Sequence, residues 1–131
     1  MRPNYQIMEQ DFVPQEQSLE LKELGFDEPC LVGYSTSTEK LEFYSRPYIT
    51  KDSFTIDAPT FSQAFRFFRD KYGLNAISPT RIYKTDLYQS RIIDWNTWGE
   101  IDVALCSSYE DAEIACLKKL IEVVKKFGSF K

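Results

Sequence analysis

Two helix-start signatures, each followed by an amphipathic segment, limit the folds open to this chain more than any other feature. Thr60 is followed three residues later by Gln63, and Ser107 three residues later by Glu110. At that spacing the two side chains can satisfy amide groups that a first helical turn leaves unpaired. Behind the first signature, Phe61, Phe65, Phe68 and Tyr72 fall within a sector of ~60° at about 100° per residue, with Ala64 on its border, and Gly73 closes the segment. Behind the second, Tyr109, Ala112, Cys116, Leu117, Leu120, Val123, Val124 and Phe127 form one apolar stripe. Asp111 adds negative charge to its first turn, and Lys118, Lys119, Lys125 and Lys126 load its C-terminal half, as the helix dipole favours. The patterns predict helices over Phe61–Tyr72 and Tyr109–Phe127, with Glu113 projecting at the rim of the second stripe.

A shorter helix is expected between Pro14 and Gly25, where Pro opens the segment, good helix formers fill it and Gly ends it. Phe26 then folds back on the last turn. The remaining readable segments have the β-branched and aromatic content of strands. Cys30–Tyr34 and Leu41–Tyr44 read as a hairpin with a long polar loop, and Ser53–Ile56 as a short strand in the otherwise unreadable region from Arg46 to Asp57. Arg81–Tyr88 and Ser90–Trp95 read as strands, and Asn96–Gly99 as the turn into a third strand, Glu100–Leu105. In that third strand Ile101, Val103 and Leu105 alternate with Glu100, Asp102 and Ala104, the mark of one buried and one wet face. These runs are joined by loops too short for regular crossovers, so the fold class is α+β: a small antiparallel sheet of hairpins covered by two long amphipathic helices, with a short N-terminal helix. At 131 residues the chain falls in the size range of a single domain, 1–131, with 1–13 as an irregular N-terminal segment. Ten Phe and eight Tyr make its core one of bulky rings.

A formal charge of −4 and a pI near 4.9 repel a phosphate backbone on average, so nucleic acid would need a local basic patch. Two candidates for such a patch exist: Arg66, Arg69 and Lys71, or the Lys118–Lys126 face, each of which equally suits a solvated helix surface. Met1–Gln6 lacks the apolar run of a secretory signal, and unbroken apolar stretches, such as Val103–Cys106, are far below the ~20 residues of a membrane span. The expected setting is cytoplasmic, with Cys30, Cys106 and Cys116 reduced and packed as small hydrophobes.

The chain contains no histidine, which removes the commonest general base and metal ligand together with Ser-His-Asp and Cys-His arrangements. Five glycines stand singly, so neither a phosphate-binding loop nor a dinucleotide fingerprint can be written, and three separated cysteines make no closed zinc site. No catalytic residue, cofactor or metal is assigned. A carboxylate- or Tyr-based site is the remaining enzymatic alternative.

Candidate contact residues stand out instead. Phe67 points ~120° away from the centre of its helix's stripe, so either a second layer covers it or its large ring is available to a partner beside Arg66 and Arg69. Trp95 and Trp98 fall at a turn, where solvent is expected, so they either pack under the hairpin or form a contact surface. Aromatic residues and Arg are the types that anchor protein contacts, so Phe67, Arg66, Arg69, Trp95 and Trp98 form the expected partner-binding set, a homodimer being one way to cover them.

Three blocks carry a resemblance: Leu21-Lys-Glu-Leu-Gly-Phe-Asp-Glu-Pro-Cys30, Thr60-Phe-Ser-Gln-Ala-Phe-Arg-Phe-Phe-Arg-Asp-Lys-Tyr-Gly-Leu74 and Ser108-Tyr-Glu-Asp-Ala-Glu-Ile-Ala-Cys-Leu-Lys-Lys-Leu-Ile-Glu-Val-Val124. In this order they resemble small proteins of unassigned activity encoded by bacteriophages and prophages of gut bacteria. The resemblance implies a genomic setting; it implies no mechanism and transfers no catalytic residue. In that setting the expected partner of the aromatic set is a host or phage protein.

Overall fold

The computed structural model describes residues 9–35, 39–43 and 55–127, and in them the α+β class is realised as three helices and two antiparallel sheets of three strands each. Composition points to the size of one domain; within it the chain forms two compact units, Met1–Phe61 and Ser62–Lys131.

In the first unit a short 3-10 turn, Glu9–Asp11, leads into α1 (Gln15–Glu23). The end of α1 follows the sequence closely. Gly25 takes φ 100°, its N–H donates to Lys22 O and that of Phe26 to Leu21 O, and Phe26 and Leu21 are both buried. A left-handed residue was required there, and glycine adopts it without a Cβ clash. The sheet has the order β2-β1-β3, from β1 (Val32–Ser35), β2 (Leu41–Phe43) and β3 (Thr55–Asp57), and α1 packs against β3. The expected hairpin is present in the register Val32↔Phe43 and Tyr34↔Leu41; its loop residues 36–38 and Tyr44 lie outside the described residues. Ser53 and Phe54 of the strand expected at Ser53–Ile56 also lie outside them, and the described part begins at Thr55. Of the segment expected to be irregular, residues 1–8 lie outside the description, while the rest is anchored: Phe12 bridges Thr60, and buried Val13 donates its N–H to Pro59 O at 2.9 Å. Val13 O in turn accepts from Ser18 Oγ and Tyr34 Oη, each at 3.0 Å.

The second unit contains α2 from Ser62 on, a three-stranded meander and α3. α2 (Phe61–Tyr72) and α3 (Tyr109–Phe127) have the bounds that their apolar stripes predict. Thr60 stands at the N-cap position of α2. For α3 the cap is one residue later than the spacing suggested: Ser108 Oγ, not Ser107, accepts the Asp111 N–H at 3.1 Å. The meander is β4 (Leu74–Arg81), β5 (Tyr88–Asp94) and β6 (Gly99–Asp102), in that order in the sheet, with α3 packed across β4 and β5.

Two strand expectations are corrected. Residues 82–87 of the expected strand Arg81–Tyr88 form a tight loop, and β4 lies earlier, running through Ser78 and Pro79. The irregularity there is local: between the pairs Ile77↔Arg91 and Thr80↔Gln89, Ser78 and Pro79 stand opposite Ser90 alone. A bulge accommodates a residue without an N–H inside a strand. The third strand also stops early. Between Arg91↔Asp102 and Tyr88↔Cys106 lie two residues of β5, Gln89 and Ser90, but three on the other side, Val103, Ala104 and Leu105. The extra residue ends the alternation, so Val103 is buried while Leu105 is exposed, and Gln89 Nε2 donates to Val103 O in place of a ladder bond.

Candidate functional site

The turn after β5 is built by one acidic side chain and its backbone. Asp94 pairs with Gly99, leaving Trp95–Trp98 as a four-residue tip. Asp94 O accepts from Thr97 N at 3.3 Å and Trp98 N at 2.6 Å, and Asp94 Oδ1 accepts from Asn96 N at 2.9 Å and Asn96 Nδ2 at 3.0 Å. The tip is also attached to the end of α2: Trp95 N donates to Gly73 O at 2.8 Å, and Asn96 Nδ2 to Tyr72 O at 3.0 Å. The last step of the tip is Trp98, at φ 61°. For a residue of this bulk the left-handed region costs roughly 1–2 kcal/mol.

Of the two positions the sequence left open, packed under the hairpin or facing solvent, both indoles take the second: Trp95 is 43% exposed and Trp98 80%. Phe67 is the correction. It is 9% exposed, its ring packed edge-on at 5.3 Å from Phe68 and 5.8 Å from Tyr72, and Lys71, one turn on, carries its Nζ over the ring at 5.4 Å. The buried sector of α2 comprises Phe61, Ala64, Phe67, Phe68 and Tyr72, with Phe65 only half-buried. That sector is roughly 140° wide and turned towards Ala64, which lies ~60° from Phe67 on the helix. Counting from the narrower stripe put Phe67 outside; the small alanine beside it makes it part of the core.

The basic residues of α2 stand near the tip without forming a phosphate cradle. Gly73 N donates to Arg69 O at 3.1 Å, so Arg69 is one turn from the attached hairpin, and its Nε lies 3.6 Å from the Asp70 carboxylate. Lys71 Nζ also lies over the Tyr72 ring at 5.5 Å, and Arg66, exposed, is almost one turn further from the tip. On α3, Lys119 Nζ lies 3.6 Å from Glu122 and Lys126 Nζ lies over the Phe127 ring at 5.5 Å. Both candidate basic patches thus contain cations already engaged with carboxylates or rings. The structure brings Trp95, Trp98 and Arg69 to one end of the unit, leaves Arg66 behind them and withdraws Phe67 into the core.

Sequence reasoning missed a second exposed aromatic, Tyr83 in the 82–87 loop, which is 83% exposed. Arg81 holds this loop through Nε to Thr85 O and Nη2 to the Asp86 carboxylate, both at 2.8 Å. The Thr-Asp pair at 85–86 was the available turn signal. It also missed Asp94 and Asn96, whose spacing around Trp95 is that of side chains that hydrogen-bond their own turn.

The cysteines are free thiols, Cys30 and Cys116 buried and Cys106 half-buried. Burial pushes the Cys116 thiol up to about 12, with the neighbouring Ser90 hydroxyl opposing and the Glu113 charge adding. A thiol so placed stays protonated and is no nucleophile at neutral pH. Ser90 Oγ, wholly buried, has no hydrogen bond of ordinary geometry. Its neighbour is the Cys116 thiol, a weak hydrogen-bond partner that leaves the hydroxyl under-satisfied. Among the described residues no group of three or more Cys, Asp or Glu is placed to hold a metal ion, and no helix is long and apolar enough to cross a membrane. Compared with protein families, curated proteins and solved structures, the chain finds no match.

Proposed function

We propose that this chain is a non-catalytic protein-interaction module whose contact site is the Trp95–Trp98 hairpin tip, with Arg69 at its margin. The observation that carries this reading is Trp98: an indole 80% exposed, on a backbone at φ 61°. Both conditions are unfavourable in the isolated chain, since solvent gains nothing from the ring and the left-handed region strains its backbone. Strain of this kind collects at functional positions, and Trp is the residue type most enriched among contact anchors. The resemblance to phage and prophage proteins supports a bacterial cytoplasmic setting, with a host or phage protein as the partner.

The test is retention of protein from a bacterial lysate on the immobilised chain, beside a Trp95→Ala, Trp98→Ala variant, at low and physiological salt. One protein retained by the wild type at both salts and lost by the variant is the expected result. Nucleic acid retained only at low salt would replace the reading with a basic-patch one, because phosphate contacts weaken steeply with salt. A stable homodimer that the double variant dissociates would make a second copy the partner.

A further inference from the structure

We infer that Asn96 is the positioning residue of the tryptophan tip, seated by Asp94 and Gly73; the inference rests on the contact reading just given. Asn96 is the only residue of the tip whose side chain is bonded in two directions. Its Nδ2 donates to Asp94 Oδ1 within the turn and to Tyr72 O at the end of α2, both at 3.0 Å, while its N–H donates to the same Asp94 oxygen. The first pair fixes the turn that carries Trp98; the second joins the turn to the helix. Trp95, next in the chain, adds the backbone bond to Gly73 O.

Gly73 completes the seat for a reason beyond its φ of 68°. A Cβ on Gly73 would stand 3.1 Å from Asn96 Nδ2 and 3.4 Å from Oδ1, so a side chain there would press the amide out of its place. Glycine at the end of α2 therefore both turns the chain and leaves room for the residue that holds the tip. Neither indole has a hydrogen bond among the described contacts that would orient its ring, so their placement comes from the backbone that carries them. An anchor presented on a fixed backbone avoids the cost of ordering its side chain on binding.

The experiment uses the full chain and three readouts: melting temperature, time-resolved fluorescence anisotropy of Trp98 with Trp95 replaced by Phe, and affinity for the protein that the wild type retains and the double Trp variant loses. Asn96→Ala at the surface should remain folded, increase the fast component of the Trp98 anisotropy decay, and weaken binding about tenfold, the cost of ordering two side chains on contact. Asp94→Ala and Gly73→Ala should behave alike, and the conservative Asp94→Asn, whose side-chain oxygen still accepts, should restore both order and affinity. If Asn96→Ala lowers the melting temperature but leaves Trp98 as ordered and binding as tight as in the wild type, Asn96 only stabilises the fold and the inference is wrong. If the double Trp variant binds unchanged, the contact reading itself falls, and the positioning role with it.

Discussion

Ser90 and Cys116 are neighbours in the interior of the second unit. The Ser90 hydroxyl is buried with only the weak Cys116 thiol beside it and no hydrogen bond of ordinary geometry, a cost of up to about 1–3 kcal/mol for a group that bonded water in the unfolded chain. Ser90→Ala should therefore leave stability unchanged or raise it by about 1 kcal/mol, measured as a shift in urea midpoint; a clear loss would mean that the hydroxyl is bonded after all. Cys116 yields a pH prediction. Its thiol is raised from 9.0 to about 12 by burial, and Tyr34 is raised above 10.0 by burial and then by Glu9. In both cases the neutral form is the one that the fold favours. The stabilisation is thus complete below the unfolded value and is lost as pH rises through the folded one. Stability should be flat near neutrality and fall above pH 9, by at most about 1.4 kcal/mol per pH unit for each group, and Cys116→Ala should make that fall shallower. The residue scale is also where sequence reading was weakest. A stripe counted from four rings is narrow and leaves Phe67 open between a covered and an exposed position; the packing around Ala64 shows the wider face that includes it.

At the scale of elements the sequence was legible where local chemistry decides. The bounds of α2 and α3 and the cap of α1 follow from side-chain spacing and a single glycine, because those choices are made within one or two helical turns. The strands were less legible, because bulges moved their ends. Ser78-Pro79 and Val103-Ala104-Leu105 each insert one residue against β5, and nothing in a single strand's own pattern reports how its neighbour is counted. The same comparison separates Phe67 from the tip. Phe67→Ala should cost about 3–5 kcal/mol of stability, the usual result for a buried ring, measured by thermal or urea unfolding. A change below about 1 kcal/mol would return Phe67 to the surface set.

For the whole molecule, charge is divided between the two units. Met1–Phe61 holds eleven acidic and five basic residues, a net −6, and Ser62–Lys131 holds nine acidic and eleven basic, a net +2. The second unit's small excess is spread over cations of which several already face carboxylates or rings, so retention of duplex DNA should be undetectable at physiological salt in a filter-binding or mobility assay. Tight DNA binding there would move the functional site from the tip to α2 or α3. The candidate site was half legible in the sequence: two tryptophans at a turn could be seen, but Asp94, Asn96 and Gly73, which join that turn to the end of α2, stand up to 23 positions apart and meet only in the folded unit.

The most direct measurement compares Trp98→Gly with the wild type in urea unfolding and in titration with the protein that the wild type retains. Glycine adopts a φ of 61° freely, which removes roughly 1–2 kcal/mol of strain and offsets the roughly 0.5–1 kcal/mol that its extra unfolded freedom costs. The variant should be no less stable than the wild type and should no longer bind. A variant that binds as tightly as before, or one that loses more than about 1 kcal/mol of stability, would contradict this, because Trp98 would then be dispensable for contact or needed for packing.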